Sequence, residues 1–185
     1  MTTTATIPGY LTGTWQIDPA HSDVSFSVRH MMVSKVKGRF GTFSGTIVTA
    51  ENPLESTVTA EIDASSIDTN QAQRDNHIRS ADFFEVEKYP NITFSSTSVE
   101  PHGDDYLVHG ELTIKGNTRS VPLKLELNGF SPDPFGGIRA GFTATTEISR
   151  KDFGVDIDMP MDGGGVVVGD KITITLEVEA VLQQG

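Results

Sequence analysis

Ile172-Thr173-Ile174-Thr175-Leu176-Glu177-Val178-Glu179-Ala180-Val181-Leu182 is the stretch that decides the fold class. Ile172, Ile174, Leu176, Val178, Ala180 and Leu182 alternate with Thr173, Thr175, Glu177 and Glu179. Successive side chains of a strand point to opposite faces, so this segment buries one face and wets the other. An antiparallel sheet reads this way, whereas a parallel strand covered on both sides reads as an unbroken apolar run. Working outward, the same period recurs in Val24, Phe26 and Val28, in Val121, Leu123, Leu125 and Leu127, and in Ile138, Ala140, Phe142, Ala144 and Ile148.

Turn residues separate these runs. Lys115-Gly116-Asn117-Thr118 offers a Gly-Asn pair for a tight hairpin, and Gly103-Asp104-Asp105 offers a second turn. Ser131-Pro132-Asp133-Pro134-Phe135-Gly136-Gly137 is a longer connection. The runs predict about eight strands, near 15–18 with 23–30, 36–48, 56–63, 91–99, 105–115, 119–130, 137–149 and 170–182. Joined in sequence they predict an all-β chain: a single antiparallel up-and-down barrel of about eight strands, with room for one small ligand. Two connections are too long for turns. Ala64 to Pro90 contains 71–79, which lacks Gly and Pro and predicts a short helix, with Thr69 or Asn70 as candidate caps. Arg150 to Gly169 reads as irregular through Met159-Pro160-Met161 and Gly163-Gly164-Gly165. Connections of this length are commonly functional, and lids over a barrel mouth are their natural place.

Composition narrows the function. At 185 residues the chain fits one domain, with a tail over 1–12 and the barrel over 13–185. Zero cysteines exclude disulfides, cysteine-based zinc sites, iron–sulfur clusters and thiol catalysis. Met1 to Thr6 has no Lys, Arg or apolar core and does not read as a secretory signal, so the expected compartment is the cytoplasm. No segment approaches the run of about 18 apolar residues that a membrane span needs. The net charge of −11 repels nucleic acid and anionic surfaces on average, so neither nucleic acid nor stable membrane insertion is expected. Arg29, Lys35, Lys37 and Arg39 form a local basic cluster, read either as a solvated strand face or as a contact for an anionic group.

Motifs that carry chemistry are few. The chain has no phosphate loop, no dinucleotide fingerprint and no nucleophile elbow. Asp152-Phe153-Gly154 spells the kinase metal triplet without the other kinase signatures. His21, His30, His77, His102 and His109 show no metal-binding spacing, so no metal, cofactor or catalytic residue is assigned. One cluster stands out: Arg74, Asp75, His77, Arg79, Ser80, Asp82, Phe83 and Phe84. It can hydrogen-bond a ligand head group, or it can be an ion-paired short helix anchored by its two phenylalanines. An enzyme acting on a lipid head group through Asp75, His77 or His30 is a further reading, without a recognisable nucleophile–base pair. An interaction protein using its outer surface is a third.

Trp15-Gln16-Ile17-Asp18-Pro19-Ala20-His21-Ser22, followed by Phe26, Val28, His30 and Gly38-Arg39-Phe40, resembles the opening of the YceI-like polyisoprenoid-binding proteins. The likeness continues through Arg74-Asp75-Asn76-His77-Ile78-Arg79-Ser80, Asp82-Phe83-Phe84, Gly110-Glu111-Leu112-Thr113-Ile114-Lys115-Gly116 and Arg150-Lys151-Asp152-Phe153-Gly154, roughly from Trp15 to Ala180. A filled barrel and a tunnel share one sequence pattern; the resemblance selects the tunnel. It implies a lipocalin-like barrel that binds, stores or transports the tail of a polyisoprenoid or isoprenoid quinone, or in some relatives a fatty-acid amide, and it implies a homodimer. Phe26, Val28, Phe40, Phe43, Phe83, Phe84, Phe94, Ile114, Phe142 and Phe153 are the expected apolar contacts. Arg74 and His77 are expected at the ligand's polar end, and Trp15 at the closed end of the barrel.

Overall fold

A computed structural model describes residues 7–30, 34–155 and 168–183. Its strands are β1 (Gly13–Ile17), β2 (Asp23–His30), β3 (Ser34–Phe40), β4 (Phe43–Thr49), β5 (Thr57–Asp63), β6 (Ile67–Asp68), β7 (Asn91–His102), β8 (Asp105–Ile114), β9 (Asn117–Pro132), β10 (Ile138–Ser149) and β11 (Val168–Leu182). One helix, α1 (Ala72–Arg79), lies between β6 and β7. All pairings are antiparallel, and the order β1-β4-β5-β7-β8-β9-β10-β11 closes on itself because β1 also pairs with β11. β1 and β2 pair with successive parts of β11, so they are halves of one strand broken by the Pro19–His21 turn. β3 and β4 are likewise one strand, broken at Gly41 and Thr42. The result is the expected closed barrel of eight strands, up and down in sequence order.

This topology sends alternate connections to opposite ends. Residues 7–12, residues 50–56, the Gly103 turn and the 133–137 loop share one end; residues 64–90, the Lys115 turn and residues 150–155 share the other. The second is called the helix end below. At the first end Trp15 is fully buried with Ala140 and Ala180, packed by Ile47, Phe130, Ile138, Phe142 and Leu182. Its indole N–H donates to Thr49 Oγ1 at 2.9 Å, which satisfies its one polar atom. At the helix end Phe40, Ala64, Ile67, Ile114 and Phe153 are buried together, with Phe83 buried beside α1.

Four local readings change. The β8–β9 hairpin turns on Lys115-Gly116, not Gly-Asn: Ile114 pairs with Asn117, and φ is +52° at Lys115 and +74° at Gly116. Two consecutive positive φ values make the turn whose twist suits a two-residue hairpin. The cap of α1 is Gln71, whose side chain accepts from the Arg74 N–H at 2.6 Å, not Thr69 or Asn70. Thr69 is instead bonded to Asp75, and Asn70 takes a left-handed φ of +66° with its N–H on Asp68. Bulges at Thr97 and near Gly129 shift the alternation by one, so that Val99 and Phe130 turn inward. The irregular stretch after Arg150 begins with a short helical turn, Arg150–Phe153, while Met159-Pro160-Met161 and the triple glycine lie outside the described residues. So does the side chain of His30.

Candidate functional site: an apolar cavity with cations at one end

Inward positions of the barrel strands enclose a cavity of about 430 Å³. Its wall is built in rows by period-two strands: Val24, Phe26 and Val28 from β2; Leu123, Leu125 and Leu127 from β9; Ile172, Ile174, Leu176 and Val178 from β11. All twelve residues expected from the sequence line it: Phe26, Val28, Phe40, Phe43, Arg74, His77, Phe83, Phe84, Phe94, Ile114, Phe142 and Phe153. Trp15 does not. Its ring lies 5.5 Å from that of Phe130, which forms the wall in front of it.

Large rings fit because glycines oppose them. A Cβ on Gly38 would meet Phe26 Cζ at 2.4 Å, and one on Gly110 would meet Phe94 Cζ at 2.3 Å. Sequence reading missed Ile7 and Tyr10, placed in the tail, and Val99 and Phe130, hidden by the bulges. All four line the cavity. Tyr10 stacks edge-on against Phe130 at 5.8 Å, and the aromatic–aromatic pairing is the signal its sequence context does not give.

The cations on the wall, Arg74, Arg150 and His77 when protonated, all belong to the helix end. Arg74 is half-buried and held by Thr69, donating from Nε to Thr69 Oγ1 at 2.8 Å and from Nη2 to Thr69 O at 2.7 Å. Its Nη1 makes no hydrogen bond, and no carboxylate pairs with it, among the described residues. Asp75 is buried and accepts from the Thr69 N–H at 2.9 Å and from its hydroxyl, so Asp75 fixes Thr69, and Thr69 fixes Arg74. His77 pairs with Asp82 at 2.8 Å and presents its ring edge-on to Phe83 at 5.0 Å. Arg79 faces the backbone, donating to Ser65 O and Ile67 O. Arg150 is buried and binds Val155 O at 2.8 Å and Gly169 O at 3.0 Å.

The perturbed titrations lie at the other end. Arg139 donates to Asp18 at 2.8 Å, Glu179 at 2.7 Å and Asp133 at 3.1 Å. Arg139 above all, then His21, lowers the Asp18 carboxyl to about 2, and the three carboxylates raise Arg139 in turn. Asp133 is lowered by the N–H groups of Gly137 and Phe135, then by Arg139. Asp18, His21 and Glu179 lie within 4.8 Å of one another, a spacing a metal ion can use, but Arg139 occupies both carboxylates. The group is a clamp joining the β1–β2 break to β10 and β11.

Comparison with known proteins places this architecture. The YceI-like domain matches residues 15–180. The chain is 41% identical over 165 residues to Protein YceI of Escherichia coli O17:K52:H18, covering 89% of this chain and 83% of that protein. Among solved structures, BcnA of Burkholderia cenocepacia superposes with a TM-score of 0.77 at 24% identity, over 88% of this chain and 98% of that one. A polyisoprenoid binding domain from Saccharophagus degradans, implicated in plant cell wall breakdown, gives 0.69 at 16% identity, over 94% and 100%. These two likenesses concern the fold. With the domain match running from Trp15 to Ala180 on strands that close the barrel, the chain belongs to the YceI-like family.

Proposed function

We propose that the protein binds a long apolar lipid inside the barrel without transforming it, and that the lipid is a polyisoprenoid or the tail of an isoprenoid quinone. One observation carries this reading: a cavity of about 430 Å³ walled by aliphatic and aromatic side chains, its cations gathered at one end. The volume falls within the roughly 300–1,000 Å³ of small-molecule sites. Burial contributes about 0.8 kcal/mol per CH₂, so a tail of several isoprene units needs no polar partner. A head-group oxygen buried with it costs about 1–3 kcal/mol unless hydrogen-bonded. Arg74 Nη1 is available to it, and His77 stands on the same helix. The Saccharophagus degradans domain, described as polyisoprenoid binding, supports a prenyl tail.

The twelve wall residues are the proposed ligand contacts. Carriage is favoured over catalysis because the wall is almost wholly apolar and the buried Asp75 is engaged by Thr69. A homodimer and residence in the cytoplasm belong to the same proposal, to be read by sedimentation and by cell fractionation of the product of the full gene. The direct test is organic extraction of protein purified without detergent, followed by mass spectrometry of the extract. A stoichiometric prenyl lipid is expected; repeated extracts free of long-chain lipid would sink the reading.

A further inference from the structure

Between Asp23 and Glu51 the chain contains no Asp or Glu, although it carries 25 acidic residues and a net charge of −11. Within that stretch β3 places Lys35, Lys37 and Arg39 at alternate positions, all exposed. Val36 and Phe40 of the same strand line the cavity. Arg39 lies 4.0 Å from Asp68. Among the described residues neither Lys35 nor Lys37 reaches a carboxylate. β6 pairs with β3 only at Arg39 and Phe40, so both lysines stand on an edge that β6 leaves open. Gly38, between Lys37 and Arg39, lies against Thr69, the residue that holds Arg74. One strand therefore has cargo-facing apolar residues inside and unpaired cations outside, beside the cavity's polar end.

We propose that the outer face of β3 docks on an anionic lipid bilayer through Lys35 and Lys37, setting the helix end of the cavity against the membrane. This rests on the lipid-binding reading. A net negative charge does not forbid it, because the Debye length is about 8 Å at physiological ionic strength and charge across the barrel is largely screened. The three cations span about 13 Å at roughly 3.3 Å per residue, so the sign of this face governs what it meets. A bilayer is favoured over an acidic protein segment because the proposed cargo dissolves in bilayers and the lysines border the strand that would contact it. Each such cation raises partition onto an anionic leaflet about fivefold.

Lysine on an open strand edge also blocks strand-to-strand pairing, so the test sets charge removal beside charge reversal and follows the oligomeric state of both variants. The full chain is sedimented with vesicles of phosphatidylcholine and phosphatidylglycerol in equal parts, and with pure phosphatidylcholine. Wild type is expected to bind the mixed vesicles, less so as salt rises, and to leave the neutral ones unbound. K35Q/K37Q should lose about thirtyfold and K35E/K37E more, both keeping their oligomeric state and their cavity lipid. Unchanged binding by the variants, or wild type that binds both vesicles equally or neither, overturns the proposal. Binding to soluble polyglutamate as tight as to the mixed vesicles also overturns it and gives the lysines to an acidic protein. Selective vesicle binding by a chain that extracts free of lipid would uphold the docking face while the cargo reading fails.

Discussion

Arg74 is fixed at two nitrogens and open at a third, and the difference between an anchor and a contact lies there. The sequence offered two readings of this cluster, head-group contact or ion-paired helix, with the helix ahead for Asp75 and Arg79 and the two level for Arg74 and His77. Asp75 and Arg79 hold the local structure, through Thr69 and through Ser65 and Ile67, while Arg74 and His77 face the cavity. No spacing rule separates them, because the division depends on how Thr69 folds back onto the helix. Arg74→Met keeps length and removes the donors. A hydrogen bond from a charged donor is worth about 1.5–3 kcal/mol, so affinity for an isoprenoid quinone should fall about tenfold or more. Affinity for a plain hydrocarbon of similar length should be nearly unchanged. Parallel titrations decide: equal losses would make Arg74 a shaper of the helix end, and no loss would move the polar site elsewhere.

At the scale of elements, the strands were legible and the interruptions were not. Period-two patterning located all eight strands, because burial of one face imposes it directly. Bulges at Thr97 and near Gly129 leave only a change of phase, which hid Val99 and Phe130. The turn at Lys115-Gly116 was placed one residue late because Gly-Asn and Lys-Gly are both plausible until the register of Ile114 with Asn117 is known. Gly116→Ala puts a Cβ 2.7 Å from the Tyr89 ring at φ +74°. The left-handed backbone alone should cost about 1–2 kcal/mol, read from denaturant melts; a neutral result would mean the hairpin does not depend on this turn. The β1–β2 break makes a prediction in pH. The Asp18 carboxyl is held near 2 in the fold, below its ordinary 3.8. Its contribution is therefore complete above the unfolded value and is lost as pH falls through the folded one. Asp18→Asn should melt below wild type at neutral pH, and the gap should close as pH falls from 3.8 to about 2. A gap independent of pH would show that the Arg139 pairing does not act through this charge.

For the whole molecule, patterning alone could not distinguish a filled barrel from a hollow one, since both put the same apolar residues inside. The family resemblance favoured the hollow form, and the cavity of about 430 Å³ has that form. The distinction is also mechanical. Adding volume to a filled core costs about 1–3 kcal/mol, whereas a cavity accepts it and loses capacity. Ala144 is buried on the wall, so Ala144→Leu should change stability by less than about 1 kcal/mol while lowering lipid affinity at least tenfold. Matched melting and binding curves check this, and a large stability loss with unchanged binding would mean the space is not the binding site. The central claim, a lipid held within the barrel, is tested most directly by native mass spectrometry of the chain incubated with the long-chain prenol solanesol, beside Ala144→Leu. The account predicts one retained prenol per wild-type chain and little on the variant; wild type that remains bare, or adducts equal on both proteins, would contradict it.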